Sequence, residues 1–333
     1  QVLDTIRFSV VIRTTGHAGE KYARLLRSIS ALEPQPEEVI VVLPEGAETP
    51  AEKLGWERFC YCPKGMVRQR LYGLEQCRSP YALFSDDDIA FGQDFVQKLH
   101  QPLAEGVAKL AAGPLLEFFP VKGKRALLSA VMGNTAPMLP WRQMYVRVLR
   151  STGYSYNRKI DTSEHVYYPS QSLAWTCFYG ETAAMRAIHM EEEGWLDSHG
   201  YAAMDDQTMF YKACLKGIPT VVVSDAPYQH LNAQTSTKVS ANGVKINYSI
   251  GFNRTVFWRR FILETHNDPL NRLLDRFCFG YQCVWAKAYS KINVWRGKKR
   301  GEDHEALKRG MRDARAFLTS EEYRRLPKVL EEK

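Results

Sequence analysis

The sequence has no run of apolar residues approaching the roughly 20 needed to span a bilayer, and its start lacks the basic-then-apolar layout of a secretory leader. The expectation is a chain that neither crosses a membrane nor is exported, and so stays in the cytoplasm. Cysteines are few: seven, an odd number, at positions 60, 62, 77, 177, 214, 278 and 283. Their scatter excludes a disulfide framework or a cysteine zinc site and leaves reduced, mostly buried thiols. Internal repeats and low-complexity linkers are also missing, which excludes solenoids and tethered arrays.

At 333 residues and 45% hydrophobic content, the chain can bury a full core and fits one large domain or one domain with an appendage. Charge is unevenly placed. Residues 246–333 carry 19 lysines and arginines against 11 aspartates and glutamates, which accounts for the whole formal net charge of +8. The C-terminal quarter is therefore the part suited to an anionic surface, while the neutral residues 1–245 argue against a nucleic-acid binder.

Apolar, β-branched runs at Phe8–Ile12, Val39–Leu43 and Tyr81–Phe84, with a weaker one at Arg58–Tyr61, alternate with helical patterns bearing Leu25, Leu26, Ile29 and then Val67, Leu71, Leu74. This rhythm predicts βαβ units and a mostly parallel sheet whose ligands lie at the carboxyl ends of the strands. Residues 118–172 show little periodicity and read as an irregular cleft wall. The pattern resumes with a strand at Trp175–Tyr179, helices near 181–190 and 205–216, and a strand at Thr220–Val223. Long amphipathic helices near 256–264 and 269–292 follow, then the basic Trp295-Arg-Gly-Lys-Lys-Arg300.

Four constellations carry chemistry. Asp86-Asp87-Asp88 follows a buried strand directly, and a divalent cation relieves the repulsion of carboxylates crowded at a ligand-binding edge. Asp88, with Asp86 beside it, would ligate Mn2+ or Mg2+, and Asp86 could instead hold a ribose hydroxyl; the rival reading is a cap for the helical pattern at 91–99. Lys64, Arg68 and Arg70 stand at a helix start, where cations oppose the helix dipole unless an anion such as a pyrophosphate lies near, although a solvated basic face has the same pattern. Asp205 and Asp206 open a later helix, as general base or as caps. His230, in Pro227-Tyr-Gln-His230, is either a further metal ligand or a structural hydrogen-bonder.

In this order, over roughly residues 6–235, the motifs resemble the family 2 glycosyltransferases of the GT-A fold, of the bacterial surface-polysaccharide type. The resemblance implies a Rossmann-like α/β domain at 1–245, with a donor half at about 1–115 and an acceptor half at about 116–245, followed by a basic helical extension at 246–333. It implies a nucleotide-contacting loop at Ser9–Thr15, including Arg13, Thr14 and Thr15. Gln69-Arg-Leu-Tyr-Gly73 is similar to the family's Gln-Arg-Asn-x-Gly element, and Asp86-Asp87-Asp88 to its metal- and donor-binding Asp-x-Asp. Phe178–Arg186 resembles the acceptor-side strand and helix, which assigns Tyr179, Gly180 and Glu181 to the acceptor together with Trp195 of Gly194-Trp-Leu-Asp197. Asp206 becomes the favoured base, beside Asp205.

The sequence departs from the family at three places. Arg13 stands where proline is usual, Glu45 takes the place of a base-reading aspartate, and Leu71 replaces an asparagine. The implied activity is inverting, metal-dependent transfer of a sugar from a nucleotide diphosphate to a glycan or lipid-linked glycan, with no nucleic-acid partner. The basic helices would offer peripheral contact with the inner face of the plasma membrane, or else pack on the core. The competing activity is a sugar-phosphate nucleotidyltransferase, which ordinarily carries a glycine-rich phosphate loop after the first strand; Arg13-Thr-Thr-Gly-His17 is glycine-poor.

Overall fold

In the computed structural model of the protein, residues 6–119, 122–138, 143–231 and 242–330 are described. Strands β1 (Phe8–Arg13), β2 (Glu38–Pro44), β3 (Arg58–Cys62), β4 (Tyr81–Asp86), β6 (Leu110–Ala112), β10 (Tyr167–Pro169), β11 (Cys177–Glu181) and β12 (Thr220–Val223) form one sheet in the order β10-β12-β6-β11-β4-β1-β2-β3. β11 and β10 run against the other six. The sheet is thus mostly parallel, and the carboxyl ends of β1, β2, β4, β6 and β12 share one edge.

The side-chain period of two sends alternate residues of one strand into two different core layers. Val10 and Ile12 pack with helix α1 (Glu20–Ser30), through Tyr22, Leu25, Leu26 and Ile29, and with α3 (Phe95–Ala104). Val11 faces the opposite layer, where α2 (Met66–Gln76) and α6 (Asp205–Leu215) lie with Phe84, Phe178 and Phe210. A short antiparallel pair, β5 (Ile89–Phe91) with β13 (Tyr228–His230), sits beyond the carboxyl edge and sets His230 opposite Ile89.

Residues 118–172, expected as irregular, hold helix α4 (Lys124–Val131) and a three-stranded sheet of β7 (Thr135–Pro137), β9 (Tyr154–Tyr156) and β8 (Val146–Val148). Strands of three residues carry too short an alternation to register in a sequence window, which is why the pattern is missed. α5 (Thr182–Ala187) follows β11.

The C-terminal region is helical. α7 (Gly243–Phe257) continues as a π-helical turn over Trp258–Leu263, and α8 (Pro269–Trp295), α9 (Gly301–Phe317) and α10 (Glu321–Arg325) complete it. α7 is built into the core: Phe252, Val256, Phe257 and Phe261 join the α2/α6 layer, and Asn253 donates to the carbonyls of Leu196 (3.1 Å) and Ala203 (2.8 Å). Arg260 reaches the buried Glu193, which also holds Lys212 at 2.6 Å. α8 begins sharply because the Asp268 carboxylate accepts from the Asn271 N–H and Pro269 supplies the first helical residue.

Candidate active site

Strands β1 and β4 run parallel with Arg13 opposite Asp86, so both side chains reach the carboxyl edge together. Arg13 donates from Nε and Nη2 to the two Asp86 oxygens, each at 2.9 Å. Arg70, 2% exposed, comes up from α2 and donates from Nη2 to the same two oxygens at 3.0 and 3.1 Å. Its Nη1 donates to Asp205 Oδ2 at 2.7 Å. One guanidinium therefore ties the end of β4 to the start of α6, stacked under Trp175 at 5.1 Å. Burial alone would raise the Asp86 pKa; the two guanidiniums overcome it and hold the carboxylate below its ordinary value.

The other two aspartates of the triplet are placed differently. Asp87 accepts from the Thr14 hydroxyl, and burial pushes its pKa up. Asp88 lies on the rim with Oδ1 3.2 Å from His230 Nε2. Burial would lower the His230 pKa, but Asp88 outweighs it and the imidazole is more basic than usual. None of the three caps α3, which starts only at Phe95 after β5, so the cap reading of the triplet does not apply.

Met204, a non-glycine residue at φ 71°, turns the chain into α6 and aims Asp205 and Asp206 at the same edge. Such a backbone costs on the order of 1 kcal/mol and persists where the surroundings enforce it. The Trp175 N–H donates to Asp206 Oδ1 at 2.7 Å. Asp205 keeps 14% of its side-chain surface open, so the pair is deep without being sealed. Burial, then the neighbouring Asp205, pushes the Asp206 pKa up to about 8; burial also raises that of Asp205, against the pull of Arg70. The pair thus retains a proton well above the ordinary carboxylate range, with Asp205 the member whose charge the Arg70 guanidinium favours.

Asp206 opens on a cavity of about 230 Å³ lined by Tyr145, Tyr154, Tyr156, Tyr228, Phe119 and Leu173 among others. Tyr228 also borders a second cavity of about 670 Å³ that contains His230, Glu117 and Arg24. Tyr145, Tyr154 and Tyr156 of the tyrosine-rich wall come from the segment 118–172 that the sequence reads as a cleft wall; what sequence reasoning missed is that the wall is a regular sheet, of which the alternating Tyr154-Ser-Tyr156 was the signal.

The start of α2 already has its anion. The Asp197 carboxylate accepts from the N–H groups of Met66 (2.9 Å), Val67 (3.0 Å) and Arg68 (2.8 Å). Gly65 permits this approach, since a Cβ there would stand 2.7 Å from Asp197 Oδ2. The helix-dipole argument for a pyrophosphate at this point is therefore met within the protein. Lys64 and Arg68 remain exposed, Arg70 is committed to Asp86 and Asp205, and Gln69 Nε2 bonds the carbonyls of Thr14 and Val42, each at 3.1 Å. Gly73 lets α2 lie against β1, where a Cβ would meet Val11 at 2.3 Å. Thr15 and Glu45 are exposed at the same carboxyl edge, after β1 and β2 respectively.

Four expected acceptor residues lie elsewhere. β11 runs against β4, pairing Cys177 with Ser85 but Glu181 with Tyr81, so Tyr179, Gly180 and Glu181 recede toward the opposite edge from Asp86. Tyr179 is fully buried with its hydroxyl 2.9 Å from His100 Nδ1, a Cβ on Gly180 would meet Leu110 at 2.5 Å, and Glu181 pairs with Lys109 at 2.8 Å. Trp195 is a core side chain whose Nε1–H donates to Glu193 at 2.8 Å. A similar correction applies to Asp86 as metal ligand, because both of its oxygens already face two guanidiniums. Among the described residues no three His, Cys, Asp or Glu side chains are gathered as a cage for a metal. The donor set that fits a divalent cation is Asp88 with His230, since Mn2+ and Mg2+ bind through few protein ligands and leave positions for phosphate and water.

No protein-family model matches the chain, and a search of curated proteins finds no match. Among solved structures, the chain is similar to "GalNAc-T7 with UDP, GalNAc and Mn2+" at 13% identity and a TM-score of 0.49, over 98% of this chain and 59% of that one. It is also similar to S. aureus TarS 1-349 at 15% identity and a TM-score of 0.41, over 93% of this chain and 92% of that one. The chain thus spans less than two thirds of the first of these structures. The α/β architecture itself, a mostly parallel central sheet with flanking helices and a helical C-terminal region, is as the sequence pattern predicts.

Proposed function

We propose that the chain is a glycosyltransferase of the GT-A, family 2 type, moving a sugar from a nucleotide diphosphate to a hydroxyl of a glycan or lipid-linked glycan with inversion. The observation that carries this reading is the Arg70 bridge. It brings the β4 aspartates and the α6 aspartates, 119 residues apart from Asp86 to Asp205, to one edge beside an aromatic cavity. Two acidic centres with separate tasks are what a single displacement at a sugar carbon requires.

Asp206 is the base. A carboxyl with so raised a proton affinity accepts the proton of an attacking hydroxyl as the new oxygen–carbon bond forms and the sugar–phosphate bond breaks, its electron pair leaving with the nucleoside diphosphate. Asp205, paired with Arg70, keeps its charge and holds the proton on its neighbour. The tyrosine-lined cavity presents broad apolar faces with a few hydroxyls, the lining expected around an oriented small ligand, and keeps water from the reacting carbon. A divalent cation bound by Asp88 and His230 would neutralise charge on the departing diphosphate. Arg13, Thr14, Thr15, Asp87 and Glu45 border the donor side, and Lys64 and Arg68 are the exposed cations offered to phosphate. The membrane contact expected of the C-terminal helices is part of this reading, and α8 supplies its surface.

A thermal-shift panel of nucleoside diphosphates and nucleotide sugars, with and without Mn2+, tests the proposal. At least one nucleotide sugar is expected to stabilise the protein more in the presence of Mn2+. Turnover of a nucleoside triphosphate with release of pyrophosphate, and no nucleotide-sugar response, would replace it with the nucleotidyltransferase activity.

A further inference from the structure

Helix α8 is inverted with respect to an ordinary surface helix. Its inward face carries Asp275, Gln282, Ser290 and Asn293, all buried, beside only Phe279 and Cys283. Its outward face carries Leu270, Leu273, Phe277, Tyr281, Val284, Ile292 and Trp295, with Phe277 69% and Trp295 86% exposed. These follow the three-and-four spacing of one helical stripe, and from Leu270 to Trp295 it runs about 37 Å at 1.5 Å per residue. A stripe of this size is well beyond the scattered apolar residues of a solvated surface.

A second exposed apolar element lies nearby. α4 has no buried residue and exposes Leu127, Leu128 and Val131 next to Lys124 and Arg125. Its end meets the middle of α8, where Gln282 Nε2 donates to Asn134 at 3.2 Å.

Charge identifies the occupant. The only carboxylate on α8, Asp275, is fully buried between Arg150 and His266, each at 2.6 Å. Around the stripe stand Arg276 and Lys291 on α8, and a groove of about 470 Å³ where Lys287 faces Lys308, Arg312 and Arg315 of α9, with Glu305 among them. A second copy related by two-fold symmetry would set these cations against their own kind. An anionic bilayer neutralises them while receiving the apolar face. No helix among the described residues is long and apolar enough to cross a membrane, so α8 would lie along the interface.

We infer that the outward face of α8 docks the protein on an anionic lipid surface, with the aliphatic and aromatic stripe in the acyl boundary and the flanking lysines and arginines over the headgroups. The placement serves the cavity at Asp206: Tyr154, Tyr156 and Val146 of the three-stranded sheet line that cavity, while Ser155 and Arg147 of the same strands line the cleft beside Phe277 and Tyr281. The cavity and the cleft thus lie on opposite faces of one small sheet. The inference rests on the membrane contact of the transfer reading and deepens it, but its test fails or succeeds separately, because binding to vesicles needs neither donor nor turnover.

The test is co-sedimentation of the full chain with phosphatidylcholine vesicles, with and without about one quarter phosphatidylglycerol. Pelleting is expected only with the anionic vesicles, and is expected to weaken at about 0.5 M NaCl. Phe277→Glu and Trp295→Glu, both at exposed positions, should each cut partitioning about tenfold or more while leaving the circular-dichroism melt unchanged. Absence of pelleting with anionic vesicles at low salt would overturn the inference, as would pelleting indifferent to Phe277→Glu. Sedimentation velocity without lipid supplies the remaining arm: a dimer that Phe277→Glu converts to monomer, with no vesicle binding, would assign the face to a second copy instead.

Discussion

Replacing Arg70 by methionine keeps roughly its volume and removes the guanidinium that serves Asp86 and Asp205 together. Arg13 still holds Asp86, so the loss falls on Asp205, left beside Asp206 without a cation. Removing one member of a buried ion pair costs about 3–5 kcal/mol, and the side-chain exposures of Arg70 (3%) and Asp205 (14%) place this pair in that class. The cost depends on pH with a definite sign. Burial already raises the Asp205 pKa, and without Arg70 it rises further. An unfolded carboxylate ionises near pH 4, so above that point the unfolded state sheds a proton the folded variant retains, and stability falls as pH rises. Urea denaturation of both proteins should therefore show a small difference near pH 4 and the full penalty by about pH 7. An equal penalty at every pH would mean that Arg70 acts through its packing under Trp175 alone, and the electrostatic account of the bridge would be wrong.

The remaining predictions concern single groups. Asp197→Ala strips three N–H groups of their acceptor at the start of α2 and should cost about 1–2 kcal/mol in the same denaturation assay; an unchanged midpoint would show that solvent caps the helix equally well. Asp88→Ala and His230→Ala should each remove Mn2+ binding measured by calorimetry in the presence of nucleoside diphosphate, and retained binding would move the cation elsewhere. Because Asp206 must lose its proton before it can act, kcat/KM should rise about tenfold per pH unit and level off above the Asp206 pKa of about 8. A profile flat from pH 6 to 9 (on the order of three units, enough to see the slope) would contradict that role.

Much of the fold was legible because long buried strands and amphipathic helices announce themselves: Val39–Leu43 and Leu25/Leu26/Ile29 became β2 and α1. The triplet at the end of β4 and the pair at the start of α6 were legible for the same reason, since strand ends and helix starts are where ligand chemistry collects. Partnership was not legible. Nothing in the local pattern says that Arg70 turns inward to two carboxylates 16 and 135 residues away, or that Asp197 and not a ligand caps α2. The acceptor assignment of Tyr179, Gly180 and Glu181 failed because strand direction decides which end of β11 meets the site, and an antiparallel insertion among parallel strands has no signature in a five-residue run. The inverted face of α8 was half visible: an amphipathic helix near 269–292 was legible, but only burial shows that its apolar face points outward.

The most direct test of the account is a pair of measurements on Asp206→Asn with the nucleotide sugar identified by the thermal-shift panel: donor binding by calorimetry, and transfer to acceptor under saturating donor. The account predicts an intact fold, donor affinity close to that of the parent, and transfer reduced by about 100-fold or more, the scale of a lost general base. Transfer at the parental rate would contradict it and remove Asp206 from the chemistry.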